Sequence, residues 1–201
     1  MAMILASQSP RRRELLGQMG FSFTVRPARG EELPHPELTP AQLVEELARQ
    51  KALEVSAGAD ADDVVVAADT VVAVDGTVLG KPQDRAHAAE MLSALSGREH
   101  TVYTGVAVKR GETLLVEHEA TQVRFRPLTE REIDLYIQTG EPMDKAGSYG
   151  IQGYGALLVE GIRGDYFNVV GLPICRLGRM LAQVGEDALA QCAQKCAEKE
   201  R

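Results

Sequence analysis

The run VVVAADTVVAV, Val64–Val74, constrains this chain more than any other segment. Nearly all of it is β-branched or small, so it reads as one long strand, and Asp75-Gly76 directly after it is a strong hairpin signal. The rest of the chain supplies elements of both kinds around it. Met3–Ala6 reads as a short buried strand. Ser9-Pro10 opens a helix with Ser as N-cap and Pro in the first turn, running to about Met19 and ended by Gly20. Phe21–Arg26 alternates as a second strand, and a proline-rich loop spans Pro27–Pro40.

Thr39-Pro40-Ala41-Gln42 is a capping box that starts a helix to about Ser56, and Asp84 caps another through Leu95. Thr101–Lys109 and Leu114–Arg126 read as a hairpin across Arg110-Gly111, and Thr129–Glu132 is a second capping box for a helix ending near Gly140. Ala156–Ile162 and Tyr166–Val170 are strand-like, and a helix follows Pro173. Strands and helices interleave, which makes the class α/β, a mixed β-sheet with flanking helices. The 201 residues suit one domain, residues 1–185, in two lobes around a central cleft, with 186–201 as a polar C-terminal helix or tail outside the site.

Composition bounds the function. A net charge of −7 argues against a general basic surface for long nucleic acid, but not against a small phosphorylated ligand held by a local basic cluster. No stretch approaches the roughly 18 uninterrupted apolar residues of a membrane helix, and the N-terminus has no export pattern. Cys175, Cys192 and Cys196 are odd in number and form no framework, as expected in a reducing compartment. Cys192 and Cys196, four apart on a helix, could meet a metal or each other; with no other ligand cluster near, ordinary thiols are the simpler reading. The expectation is a cytoplasmic protein with no membrane or nucleic-acid polymer as partner.

Several residues do not fit their places. Arg11-Arg12-Arg13 sit in the opening turn of a helix, where the macrodipole already presents positive charge. An anion sharing the site would resolve this: free N–H groups, the Ser7 and Ser9 hydroxyls and guanidinium forks make a phosphate cradle. Successive helical side chains point about 100° apart, so all three arginines cannot face one ligand; a solvated basic turn is the alternative. Lys51 falls inside the apolar stripe Val44, Leu47, Ala48, Val55, and either snorkels to the edge or reaches into a cleft. Asp69 interrupts the long strand, where an uncompensated charge costs several kcal/mol. It is a functional carboxylate, or it sits at a wet rim beyond a strand that ends at Ala68. Glu31-Glu32 lie in the proline-rich loop, as hard oxygen ligands or as a solvated pair. Gly80-Lys81-Pro82 puts a lysine on a stiff turn, and the glycine-rich Asp144–Gly155 brings backbone, Lys145 and Gln152 to a ligand. The set suits metal-assisted phosphoryl or nucleotidyl transfer. No Walker-type GxxxxGK[ST], HExxH or GxSxG is present, and His35, His87, His100 and His118 read as isolated surface or hairpin residues.

These blocks resemble the Maf family. LASQSPRRRELL is similar to its signature, in which a strand leads to Ser-x-Ser-Pro-Arg-Arg. The likeness continues through Glu31-Glu32, Ala48–Ala52, Ala68-Asp69-Thr70, Gly80-Lys81-Pro82, Asp144–Gly153 and Val170–Pro173, in family order. The resemblance implies a two-lobed nucleoside triphosphate pyrophosphatase, usually a homodimer, with a house-cleaning role and a link to septum formation. It implies Asp69 as the catalytic aspartate. It also implies Arg12, Thr70 and Gln152 as specificity positions, where they follow the branch acting on dTTP and UTP; the 7-methyl-GTP branch carries Gln after the aspartate and Glu in the late loop.

The mechanism expected on that basis is attack of water on the α-phosphorus with pyrophosphate leaving. Mg²⁺, with Mn²⁺ or Co²⁺ as alternatives, would be held by Asp69 and Glu32; Asp69 is base, metal ligand or both. Arg12, Lys51 and Lys81 would hold phosphate oxygens, with Ser7, Ser9, Arg11 and Lys145 also on the substrate, while Thr70 and Gln152 read the pyrimidine edge. The rivals are a non-catalytic nucleotide-binding regulator of septum formation, an enzyme for modified pyrimidine nucleotides, and RNA binding through the arginines.

Overall fold

A computed structural model describes residues 2–30, 35 and 37–199. The elements are β1 (Met3–Leu5), α1 (Pro10–Gln18), β2 (Phe23–Val25), α2 (Pro40–Ser56), β3 (Val64–Val74), β4 (Thr77–Leu79), α3 (Arg85–Leu95), β5 (Glu99–Arg110), β6 (Thr113–Phe125), α4 (Glu130–Gln138), β7 (Val159–Arg163), α5 (Tyr166–Val170), α6 (Ile174–Gln183) and α7 (Ala188–Lys199). Short 3₁₀ turns at Glu141–Asp144, Ala146–Ser148 and Gly153–Leu157 carry the chain from α4 to β7.

The seven strands form one mixed sheet in the order β2-β1-β3-β5-β6-β7, with β4 also on β3. β3 is its spine. On one edge it pairs antiparallel with β5 from Val65 to Ala73. On the other edge β1 runs parallel to Val64–Val66 and β4 antiparallel to Val72–Val74. Among the described residues, no strand therefore lies beside 67–71 on that edge. The gap follows from lengths: β1 stops after three residues, and the Asp75-Gly76 turn returns a strand that is equally short.

Alternation along β3 sorts the core into layers. Val65 and Ala67 face α2 and pack with Ile4, Ala6, Ala48, Ala52 and Ala107. Val64, Val66 and Ala68 face the other way, toward Leu15, Leu16, Leu177 and Leu181 of α1 and α6. Farther along that second face, Val72 and Val74 join Leu92 and Leu95 of α3 and Ile133 and Ile137 of α4. Two cores thus share one face of the sheet, and α2 covers the opposite face.

Local signals account for most boundaries. Thr39 and Gln42 exchange the two capping-box bonds, Gln42 N to Thr39 Oγ1 at 3.3 Å and Thr39 N to Gln42 Oε1 at 3.1 Å. Asp84 accepts from His87 N at 2.8 Å. Tyr166–Val170 corrects the strand expected there, for it is a helix. Asp165 caps it by accepting from Phe167 N at 2.8 Å, and the Asp165 main chain is bonded through both N and O to Thr121 Oγ1 at 3.0 Å. Those fixed bonds override a β-rich composition. His100 is likewise not a surface residue: it is buried, edge-on to Phe125 and Tyr149, with Nε2 2.8 Å from the Tyr149 hydroxyl. At the far end, Arg110 donates to Val184 O at 2.7 Å and Cys192 Sγ to Met19 O at 2.6 Å. The side chain of Cys196 lies outside the described residues. No helix among the described residues is long and apolar enough to cross a membrane.

Candidate active site

A cleft of about 820 Å³ opens at the gap in the sheet edge. Ser7, Ser9, Arg11, Arg12, Lys51, Asp69, Thr70, Lys81, Lys145 and Gln152 all line it. Arg13 does not, in keeping with the rotation of consecutive helical side chains. Glu31 and Glu32 lie outside the described residues. Five cations (Arg11, Arg12, Lys51, Lys81, Lys145) meet two carboxylates (Asp69, Asp144) among the described lining residues. In a chain of net charge −7 this is a local positive pocket, suited to a polyanion.

Asp69 and Thr70 are consecutive and therefore point to opposite faces of the sheet. Asp69 shares the α2 face with Val65 and Ala67. Its partner across the ladder is Gly105, and a Cβ there would lie 2.1 Å from the Val44 carbonyl of α2. The missing side chain lets α2 lie directly on the sheet, which brings Lys51 within reach of the carboxylate. Lys51 Nζ donates to Asp69 Oδ1 at 2.5 Å, with side chains only 20% and 14% exposed. Lys51 reaches inward, and the strand carboxylate has the counter-charge that its burial demands.

Thr70 faces the α1 side, where Arg12 crosses from the helix to the sheet. Arg12 Nε donates to Gly171 O at 2.8 Å, Nη1 to Ala68 O at 2.8 Å and Ser7 Oγ at 3.1 Å, and Nη2 to Thr70 Oγ1 at 2.9 Å. Ala68 O lies in the stretch with no described strand beside it, so Arg12 satisfies a carbonyl that the described sheet does not. Ser9 caps α1, accepting from Arg12 N at 3.5 Å. Behind Thr70, Oγ1 of Thr104 lies 2.9 Å away and in turn meets Asn168 O at 3.0 Å.

The opposite wall is the glycine-rich segment. Gly147 takes a positive φ of 67°, and a Cβ there would sit 2.8 Å from a Val72 methyl, so only glycine fits both the turn and the close approach. Its N–H donates to Gly80 O at 3.0 Å, which ties the segment to the turn carrying Lys81. Lys145 Nζ donates to Glu141 O at 2.6 Å and Asp144 Oδ1 at 2.7 Å, and Arg11 reaches Asp144 at 3.3 Å. Burial works to raise the Asp144 carboxyl, but Lys145 and Arg11 outweigh it and hold the group below its ordinary value. Glu141 accepts from the Tyr136 hydroxyl and from Tyr154 N and Gly155 N, each at 2.9 Å. The Lys81 ammonium and the Gln152 side-chain amide line the cleft and make no hydrogen bond among the described residues.

The loop that carries Glu31 and Glu32 is anchored to α2 at its start. Arg29 N and Gly30 N donate to the Glu54 carboxylate at 2.7 and 3.0 Å and keep it below its usual pKa. Among the described residues no three His, Cys, Asp or Glu side chains gather to hold a metal. Sequence reasoning passed over Thr104, Asn168 and Glu141. A threonine in a strand carries no signal of its own, and Asn168 stood in a segment that reads as β.

The chain is 56% identical over 188 residues to a Moorella thermoacetica protein named dTTP/UTP pyrophosphatase, covering 92% of this chain and 96% of that one. It is 56% identical over 187 residues to a Symbiobacterium thermophilum protein of the same name, covering 91% and 94%. Among solved structures, a Mycobacterium abscessus chain described as nucleoside-triphosphatase / dITP/XTP pyrophosphatase superposes with a TM-score of 0.45 at 19% identity, over 92% of this chain and 94% of that one, too distant to bear on the chemistry. The family described as Maf-like protein matches residues 2–184, most of the chain and every element around the cleft, and this chain belongs to the Maf family.

Proposed function

We propose that the chain hydrolyses dTTP and UTP to the monophosphate and pyrophosphate, as the names of its relatives suggest. The observation that carries this reading is the strand carboxylate Asp69, paired to Lys51, inside a cleft where cations outnumber carboxylates among the described lining residues. A triphosphate fills such a cleft with charge of the right sign. Lys51, Lys81, Lys145 and Arg11 hold phosphate oxygens and offset the charge that gathers on the departing pyrophosphate. The Ser7 and Ser9 hydroxyls, at the start of α1, line the same end.

Water attacks the α-phosphorus, a new P–O bond forms, and the bond to the bridging oxygen breaks. Lys51 fixes one oxygen of Asp69; the other has no partner among the described residues and faces the water as proton acceptor or metal ligand. A divalent metal fits this donor set, since Mg²⁺ commonly binds one or two carboxylates plus substrate phosphates and not an all-protein cage. Asp69 and Glu32 would hold it. Bound there, Mg²⁺ (or Mn²⁺ or Co²⁺) would neutralise the triphosphate and acidify the water. Arg12 donates to four protein acceptors and acts by fixing Thr70, while Thr70 and Gln152 meet the pyrimidine edge. The reading includes a cytoplasmic homodimer with a house-cleaning role.

The test is pyrophosphate release with Mg²⁺ from dTTP, UTP, CTP, ATP, GTP and 7-methyl-GTP. Release confined to dTTP and UTP supports the chemistry and the specificity together. Release from other bases instead keeps the chemistry and removes the base reading. Stoichiometric binding without turnover makes the protein a nucleotide-binding regulator of septum formation.

A further inference from the structure

Behind Thr70 the sheet holds a chain of hydrogen bonds whose direction follows atom by atom. Thr104, fully buried and opposite Thr70 in the β3–β5 ladder, has one hydroxyl hydrogen. That hydrogen goes to the main-chain carbonyl of Asn168 at 3.0 Å, which can only accept. The 2.9 Å contact between Thr70 Oγ1 and Thr104 Oγ1 must then use the Thr70 hydrogen, with Thr104 accepting. Arg12 Nη2, which can only donate, takes one lone pair of Thr70 Oγ1 at 2.9 Å. The Thr70 hydroxyl is left with one lone pair, and no hydrogen, to offer the cleft.

We infer that Thr104, locked by α5 through Asn168, is a positioning residue that turns Thr70 into a pure acceptor and so selects pyrimidines bearing an N3–H. The inference rests on the reading of Thr70 as a base-edge contact. Uracil and thymine present N3–H to that lone pair; cytosine presents a lone pair of its own, and the two repel. Asn168 gives the arrangement its stiffness. It is fully buried, and its Nδ2 donates to Val102 O at 3.0 Å and Thr121 Oγ1 at 2.9 Å, which pins the α5 carbonyl over Thr104.

Thr104→Val keeps the shape and deletes the acceptor, so the Thr70 hydrogen turns to the cleft, where N3 of cytosine can take it. Pyrophosphate release from UTP and CTP gives kcat and KM for each. The expected result is a roughly tenfold fall in the UTP:CTP ratio of kcat/KM, carried by a lower KM for CTP. Thr104→Ser, which keeps the hydroxyl, should hold the wild-type ratio. A purely structural role would lower both substrates together and could not improve CTP. Thr104→Ala makes the same comparison should valine prevent folding. An unmoved ratio in a hydroxyl-free variant of a discriminating enzyme overturns the inference alone. A wild-type chain that turns over CTP as readily as UTP overturns the pyrimidine reading itself, and this inference with it.

Discussion

The two walls of the cleft are held in different ways. The Arg12 wall is a lattice of polar bonds between regular elements: a helix arginine to strand and loop carbonyls, a threonine to a threonine, a threonine to the main chain of α5. The glycine-rich wall, from Asp144 to Gly155, has no regular element of that kind. One carboxylate, Glu141, gathers its amides, and an aromatic box of His100, Phe125 and Tyr149 lies beneath it, with ring centroids 4.7–5.3 Å apart. The first wall is set by hydrogen-bond geometry and tolerates little change in donor shape. The second is held by one carboxylate over apolar packing, and the Gln152 side-chain amide at its tip makes no hydrogen bond among the described residues.

Four experiments break or sharpen this contrast. Asp69→Asn, at the junction of the walls, should lower kcat by about 10³-fold in protein that still folds; near-normal turnover would remove Asp69 from the mechanism. Arg12→Lys keeps the charge but loses the fork that spans two carbonyl and two hydroxyl groups. A drop of about 10²-fold in kcat/KM is expected, with dTTP and UTP most affected. A wild-type rate would show that the lattice is dispensable.

The aromatic box should respond to acid where the lattice does not. Burial holds the His100 imidazole down at about 4, against 6.5 unfolded. The folded state resists the proton that the unfolded chain accepts. Stability is therefore complete above pH 6.5 and declines as pH falls toward 4, by on the order of 2–3 kcal/mol. Urea midpoints measured from pH 8 to pH 4 should show this slope, and His100→Gln should flatten it; the same slope in the variant would assign it elsewhere. The smallest effect is expected from Gln152→Glu: about a tenfold loss confined to dTTP and UTP in the nucleotide panel. An equal loss on every nucleotide would make Gln152 a phosphate contact or a prop.

Much of the fold could be read in advance because its signals are local. The capping box at Thr39 and the β-branched run at Val64 mark α2 and β3 to the residue. Tyr166–Val170 could not be read this way, since its helix depends on Thr121, more than forty residues away in sequence. The site follows the same rule. Asp69 and Lys51 stand out as charges where apolar residues belong, and the structure joins them in one ion pair. Thr104 violates no local pattern; only the register of β3 against β5 puts its hydroxyl behind Thr70.

The unbroken spine carries a consequence for motion. β3, β5 and β6 run 11, 12 and 13 residues, and β3 and β5 pass beneath both cores that share a face. Swinging one lobe against the other would tear those ladders. The cleft is accordingly a fixed slot cut into a continuous sheet and not a jaw. Asp69 stands in that shared ladder opposite Gly105, so strand pairing sets its place at the gap when the chain folds.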